Sequence, residues 1–151
     1  MRQRMDVLQD LVQFPPHYLQ YAELLDRFSN TINVPYSRRV FIMTKYRDGA
    51  DAKLDAQLQT VIDTVKAAVK GQFYHPQLAA ETQLHPNLWE NIECQMLACA
   101  RGIAIVEDRF NTKLNPNVAM EWGWMRAMRK PVLYLVEKGI PAAETPADLG
   151  G

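Results

Sequence analysis

Three short runs of consecutive apolar residues, Val40-Phe41-Ile42-Met43, Ile103-Ala104-Ile105-Val106 and Val132-Leu133-Tyr134-Leu135-Val136, constrain this chain more than any other feature. A strand with one face in water alternates apolar and polar side chains, so the unbroken run Val40 to Met43 marks a parallel strand buried on both faces. Such strands belong to parallel sheets covered by helices on each side. The intervening segments supply the helices. Leu54, Leu58, Val61, Ile62, Val65 and Val69 recur at i, i+4, i+7, i+8, i+11 and i+15, which predicts an amphipathic helix that stops near Gly71. Leu88, Trp89, Ile92, Met96 and Cys99 predict a second helix ending before Gly102. Asn115 as N-cap and Pro116 at the first helical position predict a third, running to about Met128. Gln72-Phe73-Tyr74 reads as a weak further strand, followed by a loop with short helical pieces through Pro86. Strands alternating with helices imply right-handed crossovers and one parallel sheet.

Residues 1–38 have a different pattern and are expected to form a helical appendage. Met5 to Val12 reads as a short helix broken by Pro15-Pro16, and Tyr18, Tyr21, Leu24, Leu25 and Phe28 carry helical spacing into a second one that closes at Ser29-Asn30 and Pro35. This appendage could cover the core domain, serve an oligomer contact or bind a protein partner. Residues 39–151 form the α/β domain, which after four strands reads as truncated before its last strand and helix. The uncovered sheet edge that would remain makes self-association, as a homo-oligomer, the expectation.

Size and charge narrow the function classes. A chain of 151 residues with 48% hydrophobic and 23% charged side chains is enough for one domain with a sizeable core. Its 17 basic and 17 acidic residues cancel, and no basic run exceeds a pair, so a grip on a nucleic-acid backbone is not expected. No apolar run approaches the ~20 residues that span a bilayer, and the charged, Gln-rich start lacks a signal peptide's apolar stretch. A soluble, cytoplasmic protein with no membrane contact is the expectation. Cys94 and Cys99 read as small core residues, and the scattered His17, His75 and His85 give no ligand spacing, so no protein-held metal is predicted.

The candidate chemistry lies where the strands end. In open parallel sheets ligands bind beyond the carboxyl ends of the strands. There the first run delivers Thr44, Lys45, Tyr46 and Asp48, and the run ending at Val106 delivers Glu107, Asp108, Arg109 and Asn111. The following helix adds Asn115, Asn117 and Glu121. Aromatic, amide, cationic and acidic groups in one mouth suit a ligand with a flat base, a hydroxylated sugar and phosphates. Each of Arg47, Asp48, Arg109 and Asn111 also reads as a plain solvated loop residue, and Lys45 as either a surface lysine or a phosphate contact. Glu121 stands apart. At about 100° per residue, Val118, Trp122, Met125 and Met128 form one stripe, and Glu121 projects between the directions of Met125 and Met128. A buried carboxylate must be paired with a Lys or Arg such as Lys45, be protonated, or face a cavity where a ligand arrives. No glycine-rich phosphate loop follows the first strand, and no Ser or Cys nucleophile has a positioned His.

These residues carry a resemblance. Val40 to Met43, Ile103 to Asp108, Asn115-Pro116-Asn117-Val118-Ala119-Met120-Glu121-Trp122-Gly123 and Lys130-Pro131-Val132-Leu133-Tyr134-Leu135 resemble the nucleoside 2-deoxyribosyltransferase-like superfamily and the TIR-like nucleotide-binding domains of bacterial defence proteins. The likeness spans roughly Arg39 to Gly151. It implies an α/β fold, a flavodoxin-like parallel sheet of about four to five strands with helices on both faces. It also implies that Glu121 attacks or stabilises the anomeric carbon as an N-glycosidic bond breaks. By the same match Asp108 would lie near the sugar hydroxyls or the leaving base, and Tyr46 would help stack the base. Two positions depart from the pattern. Asn115 stands where the transferases carry an Asp, and an amide is no general acid. Trp122 replaces an aliphatic residue and would narrow the pocket or stack on a nicotinamide or purine. The expected activity is therefore cleavage of the N-glycosidic bond of NAD or a related nucleotide or nucleoside, in a defence or signalling setting. NAD is a substrate in this reading, and no cofactor is expected. The alternatives are deoxyribosyl transfer and a non-catalytic nucleotide-sensing module.

Overall fold

A computed structural model of the chain describes residues 16–46, 49–107 and 115–138. The expected helix over Met5 to Val12 and the chain's end lie outside the described residues. A 3-10 run, Pro16–Tyr21, leads into α1 (Ala22–Ile32), which ends where Asn33 turns left-handed at φ 51°. Strand β1 (Arg39–Met43) is buried along its whole length, as its unbroken apolar run requires. Helix α2 (Ala52–Gly71) starts at Asp51, whose carboxylate accepts from the N–H groups of Lys53 and Leu54. Strand β2 (His75–Gln77) precedes α3 (Leu88–Leu97), which is capped by Asn87. Strand β3 (Arg101–Val106), helix α4 (Pro116–Ala127) and strand β4 (Val132–Val136) complete the described elements.

All strand pairs are parallel, and the order across the sheet is β2-β1-β3-β4. The fold is α/β with the flavodoxin-like arrangement, helices lying on both faces of the sheet. Val40, Ile42, Ile103 and Ile105 point to one face and pack on Leu58, Ile62 and Val69 of α2. Phe41, Met43, Ala104 and Val106 point to the other and pack on Ile92 and Met96 of α3 and Val118 and Met125 of α4. Gly102 lets α4 settle this closely, because a Cβ there would stand 2.6 Å from Met43 Cε and 3.0 Å from Met125 Cε. No described helix is long and apolar enough to cross a membrane.

Two sequence expectations are displaced. The strand placed at Gln72-Phe73-Tyr74 forms three residues later, at His75–Gln77. Phe73 takes a left-handed conformation, φ 62°, and its N–H and that of Tyr74 bond back to Lys70 and Val69, closing α2 with a turn. Pro76 is tolerated because β2 is at the edge of the sheet, paired on one side only among the described residues. Helix α3 stops at Leu97, short of Cys99.

Helix α1 packs Tyr21's neighbours Leu25 and Phe28 against Cys94, Leu97 and Ala98 at the end of α3, with Trp124 and Met128 of α4 alongside. Two buried cations anchor this region at the amino ends of the strands. The Arg39 guanidinium donates to Val34 O (2.6 and 2.8 Å), Ser29 Oγ (2.9 Å) and Ala98 O (3.5 Å). The Lys130 ammonium donates to the carbonyls of Met96 (3.0 Å), Leu97 (3.0 Å) and Cys99 (2.6 Å). These carbonyls lie at and just beyond the carboxyl end of α3, where a cation is the favoured group.

Candidate functional site

The sheet order reverses direction between β1 and β3, and a crevice opens at such a point beyond the carboxyl ends of the strands. A cavity of about 210 Å³ lies at this edge. Its floor is Phe41 and Ile42 at the end of β1, and Thr44, Lys45 and Tyr46 continue from them along the wall. Gln59 and Ile62 of α2 form a second side, Leu78 to Glu81 a third, and Glu121 of α4 enters from the fourth. Four of the residues singled out from sequence, Thr44, Lys45, Tyr46 and Glu121, thus meet in one space.

The carboxyl of Glu121 is 3% exposed and has no hydrogen bond or ion pair among the described residues. Burial pushes its pKa up to about 8 from an ordinary 4.5. Lys45 lines the same cavity. Tyr46 feels the same surroundings: burial, and then the negative charge of Glu121, push its phenol to about 12. The Thr44 hydroxyl is buried without a hydrogen-bond partner among the described residues. Buried polar atoms are nearly always paired, so an orphaned hydroxyl beside a cavity marks a place for a ligand or water.

The other expected residues stand elsewhere. Asn115 is the N-cap of α4, its Oδ1 accepting from Asn117 N (3.0 Å) and Val118 N (3.4 Å), and Asn117 is exposed. Neither lines the cavity. Trp122 does not line it either: its ring packs edge-on to Tyr134, centroids 6.2 Å apart, toward β4. Asp108 lies outside the described residues, as do Arg47, Asp48, Arg109 and Asn111. Glu107 follows β3 with its carboxylate oxygens buried, away from the cavity lining. Both cysteines are free and buried, and burial pushes the Cys99 thiol up to about 12, away from the thiolate form.

Sequence reasoning missed the third wall. Residues 78–85 are held by buried amides: Gln95 Nε2 donates to Thr82 O (2.6 Å) and Ala79 O (3.1 Å), and Gln77 Nε2 donates to Gln95 Oε1 (2.9 Å). Asn91 Oδ1 accepts from the N–H groups of Leu84 and His85. Lys66 of α2 pairs with Glu81 and ties the wall to the helix. The available signal was polar side chains, Asn91 and Gln95, on the buried side of a helix.

Among the described residues, no three His, Cys, Asp or Glu side chains converge as a metal set. No protein-family model matches the chain, and no curated protein matches it.

Proposed function

We propose that this protein cleaves the N-glycosidic bond of a nucleoside or nucleotide, NAD included, with Glu121 as the reacting acid. The observation that carries the reading is a buried carboxyl, without an ion pair among the described residues, lining a cavity at the ligand-binding edge of a parallel sheet. Such a group costs several kcal/mol to keep ionised, which a fold tolerates where the group reacts. The unpartnered Thr44 hydroxyl supports a ligand bearing hydroxyls, and the Tyr46 ring on the adjoining wall supports one with a flat base. The resemblance of the Asn115 to Gly123 segment to the deoxyribosyltransferase and TIR-like domains supports the same bond.

Cleavage passes through a transition state with positive charge on the anomeric carbon and the ring oxygen. An acid beside that carbon can stabilise the charge, trap it covalently, or serve proton transfer. Water is the favoured acceptor over a second base. Asn115, which stands where the transferases carry an acid, is an amide with its oxygen committed to the cap of α4. The test is incubation of the full chain with NAD and a nucleoside panel, followed by chromatography for free base. Base release that disappears in Glu121→Gln supports the reading, and full activity in that variant refutes it.

A further inference from the structure

We infer that Glu121 enters the reaction carrying its proton and hands it to the departing base, so that the substrate is an uncharged purine or pyrimidine nucleoside rather than a pyridinium nucleotide. This rests on the glycosidic-bond reading above and narrows it. The argument starts from what faces the carboxyl. The floor presents Phe41 and Ile42, and α2 presents Ile62 and the neutral Gln59. Among the described residues that line the cavity, the charged or titratable neighbours are Lys45 and the Tyr46 phenol after β1, and Glu81 on the far wall, which is paired with Lys66. Beside α4, Ala104 and Val106 of β3 pack with Val118 and Met125, and the Tyr134 phenol of β4 lies on the Trp122 side. A carboxyl 3% exposed among these groups keeps its proton at neutral pH, with its acidity set by burial toward about 8.

A protonated carboxyl suits one kind of leaving group. A neutral purine or pyrimidine departs poorly as an anion. When its bond to the anomeric carbon breaks, the bonding pair goes to the base nitrogen, and a proton delivered to the base removes the charge that forms. Water then adds to the anomeric carbon and returns a proton to the Glu121 carboxylate. The sum is nucleoside plus water giving free base plus free sugar, with the acid restored. A pyridinium base needs no such help, because the bonding pair cancels its own positive charge and it leaves neutral. Its cation calls for an ionised carboxylate, which this cavity disfavours. The role differs from direct attack by Glu121, for which the carboxylate form is required.

The experiment compares leaving groups in the 151-residue chain and in its Glu121→Gln variant, with circular dichroism verifying that both are folded. The substrates are adenosine, inosine, uridine, NAD and p-nitrophenyl β-D-riboside, whose phenolate departs without a proton. Loss of an acid costs about 10²–10⁴-fold. That loss is expected for the nucleosides, with a loss at least a hundredfold smaller for the p-nitrophenyl riboside. Nucleoside cleavage by the unaltered protein should fall tenfold per pH unit above about 8. Equal losses on both substrate kinds, or NAD cleaved faster than any nucleoside, overturn the inference and leave glycosidic-bond cleavage standing. Release of no base or phenolate from any of the five overturns the proposed function, and the inference with it.

Discussion

Replacing Glu121 by glutamine should stabilise the protein, and by an amount that depends on pH. In the unfolded chain this glutamate titrates near its ordinary 4.5, whereas burial raises the folded value to about 8. Between those two pH values the folded state holds a proton that the unfolded state has released, so stability falls as pH rises. The contribution is fully present below about 4.5, declines by about 1.4 kcal/mol per pH unit, and levels off above about 8. At pH 7 the folded carboxyl is about nine-tenths protonated, and the 2.5 units above 4.5 correspond to roughly 3 kcal/mol. Above pH 8 the full gap corresponds to roughly 5 kcal/mol. Glutamine keeps the shape and never ionises. Glu121→Gln should therefore match the unaltered protein near pH 4.5 and exceed it by roughly 3 kcal/mol at pH 7. At this chain length that is a rise in Tm of roughly 10 °C. Urea unfolding of both proteins at pH 5, 6, 7 and 8 measures the divergence. Parallel stability profiles across that range would refute the reasoning, since they would mean that the acid is solvated or paired.

Three further outcomes follow from other buried groups. Thr44→Val removes a buried hydroxyl without a partner, so unfolding free energy should rise by about 1–2 kcal/mol while kcat/KM for base release falls about tenfold; a fall in stability with unchanged kinetics contradicts the ligand role. Lys130→Met removes the ammonium that the Met96, Leu97 and Cys99 carbonyls share and should cost about 3 kcal/mol in urea unfolding. Phe73→Gly places the residue best suited to φ 62° where an exposed phenylalanine now sits, and should raise stability by about 0.5–1 kcal/mol in the same assay.

Legibility in the sequence followed the strength of the local periodic signal. The apolar stripe from Leu54 to Val69 locates α2, Asn115-Pro116 locates the start of α4, and Val132 to Val136 is β4 residue for residue. Strand β2 was misplaced because its cues are inverted. His75-Pro76-Gln77 has little strand character, while the turn before it is made by a phenylalanine where glycine is the usual signal. The same rule divides the site. Thr44, Lys45, Tyr46 and Glu121 were readable because strand ends and helix phase place them. Gln59 and Glu81 were not, since the wall they help build depends on amide contacts between Gln77, Asn91 and Gln95 that no periodicity encodes. Buried Arg39 and Lys130 were invisible for a related reason: a pattern of apolar residues treats every cation as surface.

The direction of Glu121 is a consequence of how α4 is seated, and this links the fold to the chemistry. Val118 and Met125, 1% and 0% exposed, are seven residues apart and define the line along which the helix touches the sheet. At about 100° per residue, Glu121 lies about 40–60° to one side of that line and Trp122 a similar angle to the other. One flank faces the end of β1 and its cavity, and the other faces Tyr134 on β4. The Asn115 cap and Pro116 set where the helix begins, and Gly102 allows Met125 to reach the sheet. Moving the line of contact one residue toward the carboxyl end, a rotation of about 100°, would turn the Trp122 indole onto the cavity flank and carry Glu121 away from the sheet. The residues that hold this alignment are a cap, a glycine and two core side chains, none of which needs to touch a ligand. Keeping an acid in an apolar cavity therefore depends on packing elsewhere along α4, and the packing energy of that helix is what offsets the desolvation of Glu121.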